Sequence, residues 1–198
     1  MELITFLEII GTITGILHLW LLTRQNIIAW PIGIICVSIF LYIFYDAKLY
    51  SDSILQICYI GLNLFGWYNW SRRKEELDFV KVTRLAKKHW VLVVGIILSG
   101  TFLWGWFMTS KTDADFPYID AFTTVASLTA QYLLTQKKIG NWVIWIVVNL
   151  VSIPLYLYKG LTITAGLFCV YLTMCVLGYI EWKKELKTEK LIQVESNI

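Results

Sequence analysis

Residues 90–108 read WVLVVGIILSGTFLWGWFM, nineteen positions without one charged side chain. An apolar helix of about 20 residues matches a hydrocarbon core about 30 Å thick, and a water-soluble helix has no use for so continuous a run. Working outward, six more stretches free of lysine and arginine fill most of the 198 residues: Leu3–Thr23, Ile27–Phe44, Ser53–Trp70, Ala121–Thr135, Trp142–Tyr158 and Leu161–Ile180. Most of them lack the polar face at helical spacing that a soluble helix would show. The chain reads as an all-α polytopic membrane protein with seven transmembrane helices.

Composition agrees, with 58% hydrophobic residues, a mean hydropathy of +0.64 and 10 tryptophans. Trp20, Trp30, Trp70, Trp90 and Trp182 fall near span ends, where an indole keeps its ring buried and its N–H wet, so the bilayer interface is their expected place. Trp142 and Trp145 share one segment, and the interface explains them less well. The longest polar stretch, Ser71–His89, is too short for a soluble domain. The start Met1-Glu2-Leu3 has no basic region or small-residue cleavage pattern, so the first span is expected to be retained.

Charge orients the chain. If seven spans alternate, Arg24, the connection residues Arg72, Arg73, Lys74, Lys81, Arg84, Lys87 and Lys88, then Lys137, Lys138, and the tail residues Lys183, Lys184, Lys187 and Lys190 share one side. Lys48, Lys111 and Lys159 lie opposite. Positive charge stays cytoplasmic, which predicts the N-terminus outside and the C-terminus inside. Beside a span, the basic connection is a topology determinant near anionic lipid rather than a nucleic-acid patch.

An internal repeat follows. Leu21-Leu22-Thr23 matches Leu133-Leu134-Thr135; Asn26 and Trp30 match Asn141 and Trp145; Tyr59…Gly66 through Trp70 matches Tyr171…Gly178 through Trp182. The offsets are 112, 115 and 112, which implies a three-residue insertion that is later removed. Two three-span units can share an orientation only if one further span joins them, and Trp90–Met108 fits that role. The expected architecture is three plus one plus three, the halves being parallel repeats about an axis along the membrane normal. It divides into a first repeat at 1–70, a basic connection and linking helix at 71–110, a second repeat at 111–182 and a cytoplasmic tail at 183–198.

Polar residues within the spans point to a site. Trp142, Trp145 and Asn149 lie at i, i+3 and i+7 of the sixth span, so they project from one face. Gln56, Tyr59 and Asn63 repeat that spacing on the third. An amide without a partner in hydrocarbon costs on the order of a few kcal/mol, so both faces should look into the bundle or a wet cavity. Rings stacking on tryptophan or tyrosine, with amides holding the substituents, suit a flat heteroaromatic ligand, and a cationic ring would gain roughly 0.5–2 kcal/mol from each well-placed aromatic face. The same faces would also serve ordinary helix packing.

At these residues the chain resembles the PnuC family of bacterial vitamin transporters. Asn141-Trp142-Val143-Ile144-Trp145-Ile146-Val147-Val148-Asn149 is similar to the family's NWxxWxxxN signature. Leu49-Tyr50-Ser51-Asp52-Ser53-Ile54-Leu55-Gln56, followed by Asn63-Leu64-Phe65-Gly66-Trp67-Tyr68-Asn69-Trp70, is similar to its third-span segment. The resemblance covers Glu8 to Trp182. It implies a fold related to the sugar-transporting SWEET proteins, residence in the bacterial plasma (inner) membrane, and facilitated diffusion of a small vitamin trapped by intracellular phosphorylation. Gln56, Trp142, Trp145 and Asn149 would line the substrate site. The family's best-known members carry nicotinamide riboside, and others carry thiamine or a flavin-type vitamin. Stacking on Trp142 and Trp145 would serve riboside or thiamine. The amides suit the riboside but also an aminopyrimidine, and the resemblance more than the residues favours the riboside, with thiamine the alternative. Against the longer members the N-terminus is short, and a helix some carry ahead of the core would be absent.

Other chemistry finds little footing. No G-x-x-x-x-G-K-[ST] phosphate loop is present. Glu8 is the only carboxylate well inside a span, near its outer end, where snorkelling serves as well as ion coupling; a driven carrier would place charge near the midplane. Cys36, Cys58, Cys169 and Cys175 form no C-x-x-C pair and are expected as buried small hydrophobes. His18 and His89 are far apart, which argues against a metal, and no cofactor is implied. Gly11-Thr12-Ile13-Thr14-Gly15 is a GxxxG stretch that marks close packing within a protomer or between protomers of a homo-oligomer. A retinal receptor would need a lysine in Leu161–Ile180, which has none. A membrane enzyme would need clustered His, Asp, Glu or Cys; the nearest candidate, Asp46 with Asp52 beside Lys48, reads as a solvated turn.

Overall fold

The computed structural model of the chain describes residues 2–46, 50–72, 81–111 and 115–195; Lys48, Leu49, Arg73 and Lys74, singled out above, lie outside the described residues. Seven helices alternate in direction: α1 (Glu2–Thr23), α2 (Ala29–Asp46), α3 (Tyr50–Arg72), α4 (Lys87–Lys111), α5 (Pro117–Thr135), α6 (Gly140–Tyr158) and α7 (Thr162–Glu195). Five of them, α1, α2, α4, α6 and α7, are long and apolar enough to cross a membrane. The two below that mark, α3 and α5, carry Gln56, Tyr59, Asn63 and Asn69 on one and Thr123, Thr124, Ser127 and Gln131 on the other. They touch each other, and α5 is also covered by α4 and α6, so their polar groups are turned away from lipid.

The helix contacts close a ring. α1 packs on α2, α2 on α3, α3 on α5, α5 on α6, α6 on α7, and α7 returns to α1. α4 packs mainly on α5, with Trp90 at its start lying against Gly140 of α6 rather than at an open interface, and it stands outside the ring, its Val91, Leu92, Leu98, Phe102, Leu103 and Trp106 all exposed. Exchanging α1, α2, α3 for α5, α6, α7 maps the α3–α5 contact onto the α7–α1 contact, as a parallel repeat about the membrane normal requires. α7 runs 34 residues, about 50 Å at 1.5 Å per residue, so it continues as helix through most of the expected tail.

The register of the repeat differs from the sequence reading. Trp30 packs across Gly66, and Trp142 packs across Gly178. Trp30 meets Trp70 edge to face at 5.1 Å and 85°, and Trp142 meets Trp182 at 5.4 Å and 86°. Every pair is 112 residues apart, as Gln25 is from Lys137. No insertion is needed, and Trp30 corresponds to Trp142 rather than to Trp145. The NWxxW run offers two tryptophans for one position, and only packing distinguishes them.

Three of the expected interface tryptophans are therefore core: Trp30 and Trp182 are fully buried and Trp70 nearly so, while Trp20 is exposed. Cys36 and Cys175 are buried as expected, but Cys58 and Cys169 lie exposed on outer faces. The GxxxG glycines are used within the chain. Gly11 faces Phe40 and Ile39 of α2, and Gly15 faces Cys36 of α2 and the Tyr171 hydroxyl of α7.

Candidate functional site

The inward faces can be traced from burial. On α1, Gly11, Gly15, His18 and Leu22 form one stripe, opposite the exposed Phe6, Ile9, Ile13, Leu17 and Trp20. On α3, Gln56, Tyr59, Asn63, Gly66 and Trp70 share the side opposite the exposed Ile54, Ile57, Leu64 and Tyr68. On α6, Trp142, Trp145 and Asn149 lie away from the exposed Val143, Val147, Leu150 and Leu157. Both sets predicted from the spacing thus look into the ring.

Within those faces the residues differ. Gln56, Tyr59 and Trp145 are half-buried on otherwise buried stripes. The Tyr59 hydroxyl lies near Ser127 of α5, where α3 and α5 bring the halves together. Asn63 and Asn149 are each 2% exposed. Their amide nitrogens donate to main-chain oxygens one turn earlier, Asn63 to Tyr59 at 2.8 Å and Asn149 to Trp145 at 2.7 Å. Asn149 also lies 3.7 Å from the Cys175 sulfur. Among the described residues, Asn63 Oδ1 has no partner, nor has the fully buried Trp142 Nε1. Trp142 is wedged between Gly178 and Trp182, so its ring faces are largely taken up by the core, whereas Trp145 retains free surface.

The basic end of the ring is shut by contacts the sequence did not reveal. Trp70 Nε1 donates to Thr135 O at 3.2 Å and Trp182 Nε1 to Leu22 O at 3.3 Å, so each half's last tryptophan grips the other half's first helix. Trp70 and Trp182 meet at 6.3 Å. Around them Lys137 Nζ donates to Gln25 Oε1 at 2.8 Å and lies 4.5 Å from the Trp70 ring centre, while Gln25 Nε2 donates to Glu185 of α7. Gln25 and Lys137 both have left-handed backbones, φ 53° and 48°. Each is the residue after a helix end whose amide bonds to the carbonyl three earlier, Gln25 to Leu22 and Lys137 to Leu134, while the next residue bonds five back, Asn26 to Leu21 and Lys138 to Leu133. Glycine is the usual occupant there, and an L-residue costs about 1–2 kcal/mol. The strain is retained because both side chains meet across the axis. The connection before α4 lies over this end, Thr83 pairing with the α5–α6 turn through Lys137 O at 3.1 Å and Ile139 N at 3.0 Å. A search for residues 112 apart without an insertion would have paired Gln25 with Lys137.

At the opposite end Lys159 Nζ lies 3.7 Å from Asp120 Oδ2. That ion pair lies within the second half, whereas the basic end is bonded across the two halves.

Comparison with known proteins agrees with this architecture. The sequence pattern of the family described as nicotinamide mononucleotide transporter matches residues 5–184. The chain is 29% identical over 195 residues to the nicotinamide riboside transporter PnuC of Neisseria mucosa, covering 92% of this chain and 74% of that protein. It is 26% identical over 182 residues to the PnuC of Escherichia coli, covering 79% and 76%. It is 23% identical to the riboflavin/roseoflavin transporter RibM of Streptomyces davaonensis, covering 88% and 83%. A crystal structure of the vitamin B3 transporter PnuC superposes with a TM-score of 0.75 at 28% identity, covering 93% of this chain and 83% of that one. A six-helix ring of two parallel repeats joined by an outlying helix, with aromatic and amide residues turned inward, belongs in such company: the chain is a member of the nicotinamide mononucleotide transporter family, a membrane transporter.

Proposed function

We propose that this chain takes up nicotinamide riboside by facilitated diffusion through alternating access. The observation that carries the reading is the inward face of α6, where Trp145 keeps free surface beside Asn149, with the α3 face of Gln56, Tyr59 and Asn63 turned into the same ring. The pyridinium ring stacks on Trp145, and the Trp142 indole N–H, buried without a partner, offers a donor to the carboxamide oxygen. Gln56 and Asn149 hold the remaining polar groups. None of these six side chains is a lysine or arginine, which suits a nucleoside better than its phosphate ester, since a phosphate is ordinarily held by such cations. Two relatives bear the riboside's name, and the family's description names the mononucleotide.

In this reading the basic end is cytoplasmic, the N-terminus is outside, and the protein sits in a bacterial plasma membrane with repeats 1–70 and 111–182 as its moving halves. The tryptophan grip and the Lys137–Gln25–Glu185 chain form the inner gate. Intracellular phosphorylation supplies the trap that a passive carrier lacks, and the chain itself performs no chemistry.

Two measurements test this. Counterflow of nicotinamide riboside should proceed in sealed vesicles without ATP or an ion gradient; loss of transport on collapsing a proton or sodium gradient, with binding intact, would count against a passive carrier. Titration with thiamine and the mononucleotide in parallel tests the substrate, and tight thiamine binding without riboside binding would reassign it. The gate has its own test. With Cys36, Cys58 and Cys169 replaced by serine, maleimide labelling of the buried Cys175 should rise several-fold on Lys137→Met. Unchanged labelling would remove Lys137 from the gate.

A further inference from the structure

Among the described residues, the first half presents two hydrogen-bond acceptors without a hydrogen-bond partner. His18 lies on the inward stripe of α1, and its Nδ1 is 2.6 Å from the main-chain oxygen of Ala29. A carbonyl oxygen only accepts, so Nδ1 carries the proton and Nε2 is left with a lone pair. Nε2 has no hydrogen bond among the described residues. Asn63 reaches the same spot from α3. Its amide nitrogen is committed to the Tyr59 carbonyl, which fixes Oδ1 as the remaining atom, and Oδ1 is buried without a partner. The two side chains meet over Gly33 of α2: a Cβ added there would lie 2.5 Å from His18 Cε1, 2.6 Å from His18 Nδ1 and 2.7 Å from Asn63 Oδ1, with Nε2 bonded to Cε1 on the far side of that edge. In the register set by Trp30 with Trp142, Gly33 corresponds to Trp145. It therefore lies at the same depth as Trp145, across the axis. The second half supplies an aromatic wall, and the first leaves out the side chain and places two acceptors instead.

We propose that His18 Nε2 and Asn63 Oδ1 bind the vicinal diol of a riboside whose base stacks on Trp145. This rests on the riboside reading above and deepens it. Neighbouring acceptors call for neighbouring donors, and two adjacent hydroxyls each bring one O–H. Burying an acceptor without a partner is costly, so the empty pair disfavours ligands that lack those donors.

Calorimetry with nicotinamide riboside and its 2′,3′-dideoxy analogue tests the assignment on the full-length protein. The unsubstituted chain should bind the analogue at least tenfold more weakly. His18→Phe and Asn63→Leu should weaken riboside binding and shrink that preference towards onefold, while His18→Gln and Asn63→Asp, which keep an acceptor, should restore part of it. Equal affinity of the unsubstituted chain for both compounds would overturn the diol contact while leaving the riboside reading intact. So would an undiminished preference in His18→Phe and Asn63→Leu. Binding of neither compound by the unsubstituted chain would overturn the riboside reading itself, and this inference with it.

Discussion

Trp145→Ala should lower the affinity for nicotinamide riboside by an order of magnitude or more while leaving the fold intact. Trp145 is half-buried on an inward face, so part of its ring is free to stack on a cationic base. A well-placed aromatic face contributes roughly 0.5–2 kcal/mol to a cation beyond the apolar area it covers, and about 1.4 kcal/mol is tenfold in affinity. Trp145 also packs on the apolar core, so a modest fall in thermal midpoint is expected, but the amide beside it stays in place. Asn149 is oriented by the main-chain oxygen of Trp145, which alanine keeps, so the neighbouring amide need not move. Trp142→Ala provides the contrast. That ring fills the space between Gly178 and Trp182, and truncating a fully buried tryptophan costs about 3–5 kcal/mol, so the thermal midpoint should fall together with binding. Calorimetry and thermal unfolding on both variants separate the roles. Unchanged riboside affinity in Trp145→Ala would remove the stacking wall from the site.

Gly66→Ala should destabilise the protein severely, whereas Gly61→Ala on the same helix should be nearly neutral. A Cβ at Gly66 would lie 2.2 Å from Trp30 Cη2, and one at Gly178 2.7 Å from the Trp142 ring, whereas nothing lies within 4 Å of one at Gly61. Trp30 is fully buried and pinned by Trp70, so its ring has nowhere to retreat. Overpacking of this kind costs about 1–3 kcal/mol and occasionally more, and Gly66→Ala belongs at or above the upper end. At Gly61 the lost backbone freedom of glycine gives a small gain instead. Thermal unfolding followed by size exclusion reads all three, with Gly178→Ala expected between them. Adding Trp30→Leu to Gly66→Ala should recover part of the loss by making room. A Gly66→Ala protein as stable as the unsubstituted chain would refute the wedge.

Membrane class, the seven helices, the three-one-three order and the two inward faces were legible along the chain. Each rests on a property read along the chain: the length of an uncharged run, the alternation of charge between runs, and helical spacing that sends Gln56, Tyr59 and Asn63, or Trp142, Trp145 and Asn149, to one side. Which residues meet across that ring emerges from the packing of the helices. Hydropathy gives depth but not azimuth, so Trp30, Trp70 and Trp182 looked like interface anchors although they lie at the axis, and Trp20 beside them does not. The repeat's register depended on which tryptophan of the NWxxW run lies against a glycine, a contact between residues far apart in the chain. His18, read as an isolated histidine, gained its meaning from Ala29, Gly33 and Asn63 on three turns of two other helices. The bonded basic end likewise needs Gln25, Lys137 and Glu185 together, which are joined only when two loops and the extension of α7 meet over the closed ring.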